Sequence, residues 1–311
     1  MINFRYHVVS LTAVFLALAI GLVVGTAALN GPAVDSLADR VTAMSKSNDQ
    51  LRETVNNLEA EAKREEDFAA EAAPRLLADT LTNHRVLMLV LPSGRDQADG
   101  VAEMLRTTGA TITGRIDVQD KFVSPENNDN LLELAVRAAQ PSVPTSGLPG
   151  NSDGVETSSA LLASALVDRP AVAPVTDQDR TAVLRAYGSD GYLTVADNKI
   201  SGPAEAVVVV SGQPYVDRNS SEKDESVVKL VVQFDKNAAV VVAGIGSTGG
   251  NLVAQVRADP TLAQTISTVD NSNTTMGQLV TAMATVEQVT LKKAGPYGVG
   301  AGASLMPKRP E

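Results

Sequence analysis

Residues 8–29 read VVSLTAVFLALAIGLVVGTAAL, and no charged side chain occurs from Val8 through Val34. As a helix rising 1.5 Å per residue, the apolar run is about 33 Å long, enough to cross a hydrocarbon core. Arg5 precedes the run, while Asp35 and Asp39 follow it. Positive charge is retained on the cytoplasmic side, so this order predicts a single pass through the cell membrane with the main domain extracytoplasmic. A cleaved secretory signal is the competing reading, with Thr26-Ala27-Ala28 as a small-residue cleavage site. The length of the run and the helix that follows favour an uncleaved anchor. Ala13, Ala17, Gly21 and Gly25 recur every four residues, a stripe that lets two membrane helices approach closely. Such residues are also simply common in membrane helices.

Working outward, Asn30-Gly31-Pro32 predicts a break or kink as the chain leaves the membrane. Leu37, Val41, Met44, Asn48, Leu51, Val55, Leu58 and Ala62 then alternate at spacings of four and three. This is the a/d seam of a coiled coil, which needs a partner helix to bury it. Asn48 within the seam is a device for fixing register and oligomer state, and the flanking positions carry little charge to choose a partner. A single amphipathic helix lying on its own domain is the alternative. Glu65 ends the apolar seam and Pro74 is expected to close the helix. Four segments result: tip and anchor (1–34), stalk (35–73), domain (74–290) and a mobile glycine-rich tail (291–311).

Within the domain, short continuous apolar runs at Arg85–Leu91, Ala206–Ser211 and Ala238–Ala243 read as strands buried on both faces. Thr111–Val118, Tyr192–Ala196 and Thr265–Val269 are further strand candidates. Helical patterns lie between them, around Val101–Leu105, Asp129–Gln140, Glu156–Val167, Thr176–Tyr187, Glu222–Phe234 and Thr274–Val289. Residues 141–154 are rich in Pro, Gly and Ser and read as a long loop or linker. Alternating strands and helices imply a mainly parallel α/β layer structure.

The chain has 311 residues, is 44% hydrophobic with 3% aromatic residues, and carries a net charge of −10. That charge argues against a nucleic-acid surface, which needs clustered cations. The absence of cysteine removes disulfides, thiolate metal sites and cysteine nucleophiles. Gly244-Ile-Gly246-Ser-Thr-Gly249 follows a strand, with Asp270 about twenty residues on, which is the setting of a dinucleotide loop. Asp259-Pro260 cuts the next helix short, so a tight strand-to-helix turn is the simpler reading. His7 and His84 stand far apart in sequence. Met88, Met276 and Met283 read as packing residues, and only Met44 and Met306 are placed to meet a soft metal such as Cu(I). No metal site, cofactor or catalytic constellation is expected. Asp117, Asp120, Asp177, Asp179, Asp190 and Asp197 fall in loops, and Glu65-Glu66-Asp67 reads as a solvated helix face.

The two ends together carry a resemblance. Residues 3–25, NFRYHVVSLTAVFLALAIGLVVG, with Gly295-Pro-Tyr-Gly-Val-Gly-Ala-Gly302, resemble the MctB family of actinobacteria. The length, heptads and α/β body fit as well. The resemblance implies one of two functions. One is a copper transport protein of the outer membrane. The other, under the name SteB, is a cell-envelope protein working with a membrane partner, SteA, in cell separation and control of peptidoglycan hydrolysis. A β-barrel channel calls for many strands of alternating polarity, whereas this chain has continuous apolar ones. The expected function is therefore that of an anchored regulator paired through its stalk, as a homodimer or with a SteA-like partner. Copper transport is the alternative, and a nucleotide-binding enzyme a remoter one.

Overall fold

A computed structural model describes residues 4–29, 32–169 and 172–308. It separates into two bodies, residues 1–64 and 65–311. The first body contains α1 (Phe4–Leu29) and most of α2 (Pro32–Leu77). The expected joint at Asn30-Gly31 lies outside the described residues. From Phe4 to Ala27, α1 is long and apolar enough to cross a membrane. Along α2 the seam side chains Leu37, Val41, Met44, Leu51, Val55 and Leu58 are 50–73% exposed.

The second body begins on the same helix. Pro74 does not end α2, which runs on to Leu77. Ala69, Ala73 and Leu77 are buried in the domain core, so the last turns of the stalk segment belong to the domain. Glu66, expected in solvent, instead accepts a hydrogen bond of 2.8 Å from the Thr275 amide at the start of a later helix. A carboxylate there satisfies an otherwise orphaned amide and the positive end of the helix dipole.

The sheet has seven strands in the order β3-β2-β1-β4-β5-β6-β7. They are β1 (Arg85–Val90), β2 (Thr111–Val118), β3 (Leu193–Val195), β4 (Ala206–Val210), β5 (Ala239–Ala243), β6 (Ile266–Val269) and β7 (Pro296–Tyr297). All neighbours pair in parallel except β2 and β3. Side chains alternate between faces along each strand. Leu87 and Leu89 enter one core with Val207, Val209, Val240 and Val242, while Val86, Met88 and Val90 enter the other with Val208 and Val241. Burial on both faces is why these strands read as unbroken apolar runs.

Over the first face lie α4 (Asp120–Val123), α5 (Asn128–Ala138), α6 (Gly154–Leu166), α7 (Asp177–Ser189), α8 (Ser220–Asp235) and α9 (Leu252–Ala258). A further short helix, α10 (Leu262–Thr265), leads into β6. The second face is covered by the end of α2, α3 (Arg95–Thr107) and α11 (Thr275–Leu291). Residues 141–153 form a loop within this one body. Its Val143 is buried, and Ser142 is tied to the start of α7 through Asp179 and Thr176.

The expected mobile tail is a further difference. Residues 296–297 form β7 against β6, and Tyr297 is buried.

Candidate functional site

In open α/β sheets, ligands bind outside the carboxyl ends of the strands, where the strand order reverses. Here that reversal falls between β1 and β4. Two features close it. A Cβ on Gly94 would stand 2.3 Å from the Val210 carbonyl oxygen, and one on Gly212 would stand 1.9 Å from that of Ser93. The Gly212 amide also donates to Ser93 Oγ at 3.0 Å. The loops after β1 and β4 therefore meet backbone to backbone, leaving a cavity of about 10 Å³ between Leu91, Ser93, Ser211, Tyr215, Asp224 and Asn251. That holds at most one water. Burial pushes the Tyr215 hydroxyl and the Asp224 carboxyl above their ordinary pKa values.

The structure brings Gly244, Gly246, Gly249 and Asp270 to the neighbouring carboxyl ends of β5 and β6. The Gly246 amide donates to the Asp270 carbonyl at 2.6 Å. Asn251 spans the loop, its Nδ2 donating to the Ile245 and Gly246 carbonyls while its Oδ1 caps α9. That helix has only seven residues.

The space above is filled by the chain itself. Asp270 is 2% exposed. Its carboxylate accepts from Arg257 Nη1 at 2.7 Å, from the Val299 amide at 2.8 Å and from the Gly300 amide at 3.0 Å. Arg257 also donates to Thr268 Oγ1 and to the Tyr297 carbonyl, at 2.9 and 2.8 Å. Gly298 adopts φ +121°, and a Cβ on it would lie 2.2 Å from Asp270 Oδ1. A Cβ on Gly300 would lie 2.6 Å from Oδ2. The carboxylate in the position expected for a ribose ligand thus holds the tail, and the Gly-x-Gly spacing at 298–300 is shaped to it. Beneath, the Tyr297 hydroxyl donates to the buried carboxylate of Glu287, and burial next to that carboxylate raises the tyrosine's pKa. Sequence reasoning did not find Arg257 or Glu287. The glycine spacing of the tail was the available signal, but alone it does not say what the backbone approaches.

At the opposite ends of β1 and β4, His84 Nδ1 lies 2.9 Å from Glu205, and Arg85 bridges Glu205 and Asp168 at 3.0 and 2.6 Å. Among the described residues no group of three His, Cys, Asp or Glu side chains is arranged to hold a metal. Met88 is buried in β1, Met276 is 39% exposed, and Met283 packs on the core. Met44 and Met306 are exposed. The stripe Ala13, Ala17, Gly21 and Gly25 lies along α1, and among the described residues nothing lies within 4 Å of a Cβ on Gly21 or Gly25.

These features define a class: an α/β protein built on a doubly wound, mostly parallel sheet, preceded by one helix fit to cross a membrane. Within that class, the chain belongs to the family described as the copper transport outer membrane protein MctB, whose model matches residues 1–307. It is 25% identical over 308 residues to the copper transporter MctB of Mycobacterium tuberculosis (strain ATCC 25618 / H37Rv), covering 97% of this chain and 98% of that one. To the copper transporter MctB of Mycobacterium leprae (strain TN) it is 28% identical over 312 residues, covering 98% of each.

Proposed function

We propose that this protein takes part in copper handling at the cell envelope, as an assembly of chains anchored by α1. The observation that carries the reading is the match of the family over essentially the whole chain, with relatives named copper transporters. This shifts the weight from the anchored regulator expected from sequence to its alternative. The chain's own chemistry says how such a role is divided. One apolar helix cannot line a pore, and among the described residues no group of His, Asp or Glu side chains is arranged to hold a metal, so copper is treated as cargo met by several chains together. The described sheet is open and buried on both faces, which leaves α1 as the part that meets lipid. The amino terminus is cytoplasmic in this reading, on the strength of Arg5. No catalytic step is assigned to the chain.

The exposed seam of α2 supports assembly, because six large apolar side chains along one helix lose stabilisation in water unless a second helix covers them. The test is genetic. A strain lacking the protein should grow poorly at raised copper, and the full chain should rescue it while a chain with Leu51→Asp and Val55→Asp should not. Unchanged copper tolerance on deletion would sink the proposal.

The same seam favours a second reading, in which the covering helix belongs to a SteA-like partner and the outcome is cell separation. Deletion would then give chained cells at ordinary copper levels.

A further inference from the structure

Towards its carboxyl end, α11 carries Met283, Val286, Glu287, Thr290 and Leu291, spaced by three and four so that they share one side of the helix. With Leu76, Leu77 and Thr80 at and just beyond the end of α2, and with residues 306–308, they line a cavity of about 360 Å³ within the second body. Pro307 is buried, which seats this last wall against the rest.

The walls are mostly apolar. Both threonine hydroxyls are already spent on nearby backbone, Thr80 Oγ1 donating to the Leu77 carbonyl at 2.6 Å and Thr290 Oγ1 to that of Val286 at 2.7 Å. Leu76 and Leu291 are 48% and 44% exposed, apolar surface that gains stabilisation when an occupant covers it. Glu287 is the exception. Its side chain is 4% exposed, and Oε2 is taken by the Tyr297 hydroxyl. Among the described residues Oε1 accepts no hydrogen bond, and Lys293 Nζ stands 3.8 Å from it, too far to donate one. A buried carboxylate oxygen without a donor is unfavourable, and a ligand that supplies one relieves it. An apolar cavity within the range of about 300–1,000 Å³, with a few placed polar groups, is the form that small-molecule sites take.

We propose that this cavity binds a neutral amphiphile, its aliphatic body against Leu76, Met283, Val286 and Leu291 and its hydroxyl donating to Glu287 Oε1, a site beyond the copper-handling role proposed above. The charges around the carboxylate select the head group. An anionic head would meet Glu287 itself, so like charge disfavours it. An ammonium would meet Lys293 beside the same oxygen, with Lys308 also on the cavity wall. A hydroxyl supplies the missing donor and carries neither penalty.

The test uses the full chain in phosphatidylcholine nanodiscs, where no free detergent competes for the cavity. Because the chain has no cysteine, Val286→Cys puts a single thiol on the cavity wall, and its rate of alkylation by a water-soluble maleimide reports occupancy. Only the empty fraction reacts, so 1-octanol at about ten times its dissociation constant should slow labelling about tenfold and saturably. Octanoate and octylamine, with the same aliphatic chain, should protect more weakly at equal free concentration. A thiol at exposed Arg52, outside the cavity, should label at an unchanged rate. Glu287→Gln in the Val286→Cys background removes the negative charge and keeps an acceptor for Tyr297, so octanoate should then protect as well as octanol. Leu291→Trp, a change at a half-exposed wall position, should fill the cavity and abolish protection with unchanged thermal unfolding. The proposal is overturned if no alcohol protects saturably, if octanoate or octylamine protects the Val286→Cys chain as well as octanol does, or if protection survives Leu291→Trp. Equal slowing at the Arg52 thiol also overturns it, since the alcohol would then be acting through the bilayer.

Discussion

Asp270 is the residue on which the carboxy-terminal segment depends. Three donors converge on a carboxylate that is buried from solvent, and leaving buried donors unpaired costs about 1–3 kcal/mol. Asp270→Asn is therefore expected to lower unfolding free energy by about 2–3 kcal/mol in a denaturant titration, and to make the chain after Lys293 more sensitive to protease. Gly298→Ala should act in the same direction, because the added methyl meets Asp270 Oδ1 and the φ of +121° suits no other residue. Gly302→Ala is the matched control. Its φ is +80° with nothing within 4 Å, so backbone strain alone should cost about 1 kcal/mol. At the other end of the sheet, burial pushes the Glu205 carboxyl up, but hydrogen bonds from His84 and Arg85 outweigh it and hold the pKa below the usual value. A folded pKa lower than the unfolded one gives stability that is present above the unfolded value, near 4.5, and is lost as pH falls through the folded value. Thermal midpoints should therefore decline below about pH 4.5, and Glu205→Gln should flatten that decline.

At the scale of elements, the strands most legible from sequence are those whose neighbours lie on both sides. β1, β4 and β5 are continuous apolar runs because helices cover both of their faces. The antiparallel direction of β3 was not legible, since three residues carry no mark of orientation. β7 was missed because Pro296-Tyr297 sits among glycines, and a glycine-rich run reads equally as a loose tail or as backbone fitted closely around a side chain. The end of α2 was assigned to the stalk because its seam fades after Ala62, although Ala69, Ala73 and Leu77 continue inward on small side chains. The earlier part of α2 makes its own prediction. The chain has no cysteine, so Leu51→Cys gives a single thiol on the seam. If the covering helix is a parallel second copy, mild oxidation of membranes should yield a disulfide-linked dimer. Cysteine at exposed Arg52, outside the seam, should give little. A heteromeric stalk would give no homodimer from either position.

At the scale of the whole molecule, a sheet with the order of a dinucleotide-binding fold has given up the cleft that defines such folds. Gly94 and Gly212 close the reversal point, and the tail fills the place beside Asp270. The candidate loop at Gly244 lies between β5 and α9, yet what lies over it could not be read from its own residues, because its occupant is encoded more than fifty residues later. A phosphate and an aspartate both ask glycine for the same close approach, and only the fold distinguishes them.

The placement of that occupant also sets an order of events. Chains are made from the amino terminus, and domains ordinarily fold as their parts emerge. Here the outermost strand and two of the three donors to Asp270 come from residues 296–300, so the sheet is left one strand short, and Asp270 without those two amides, until that segment has emerged. The domain cannot close early. Completion of the fold is thereby timed to the delivery of residues 296–300, whichever machinery delivers them.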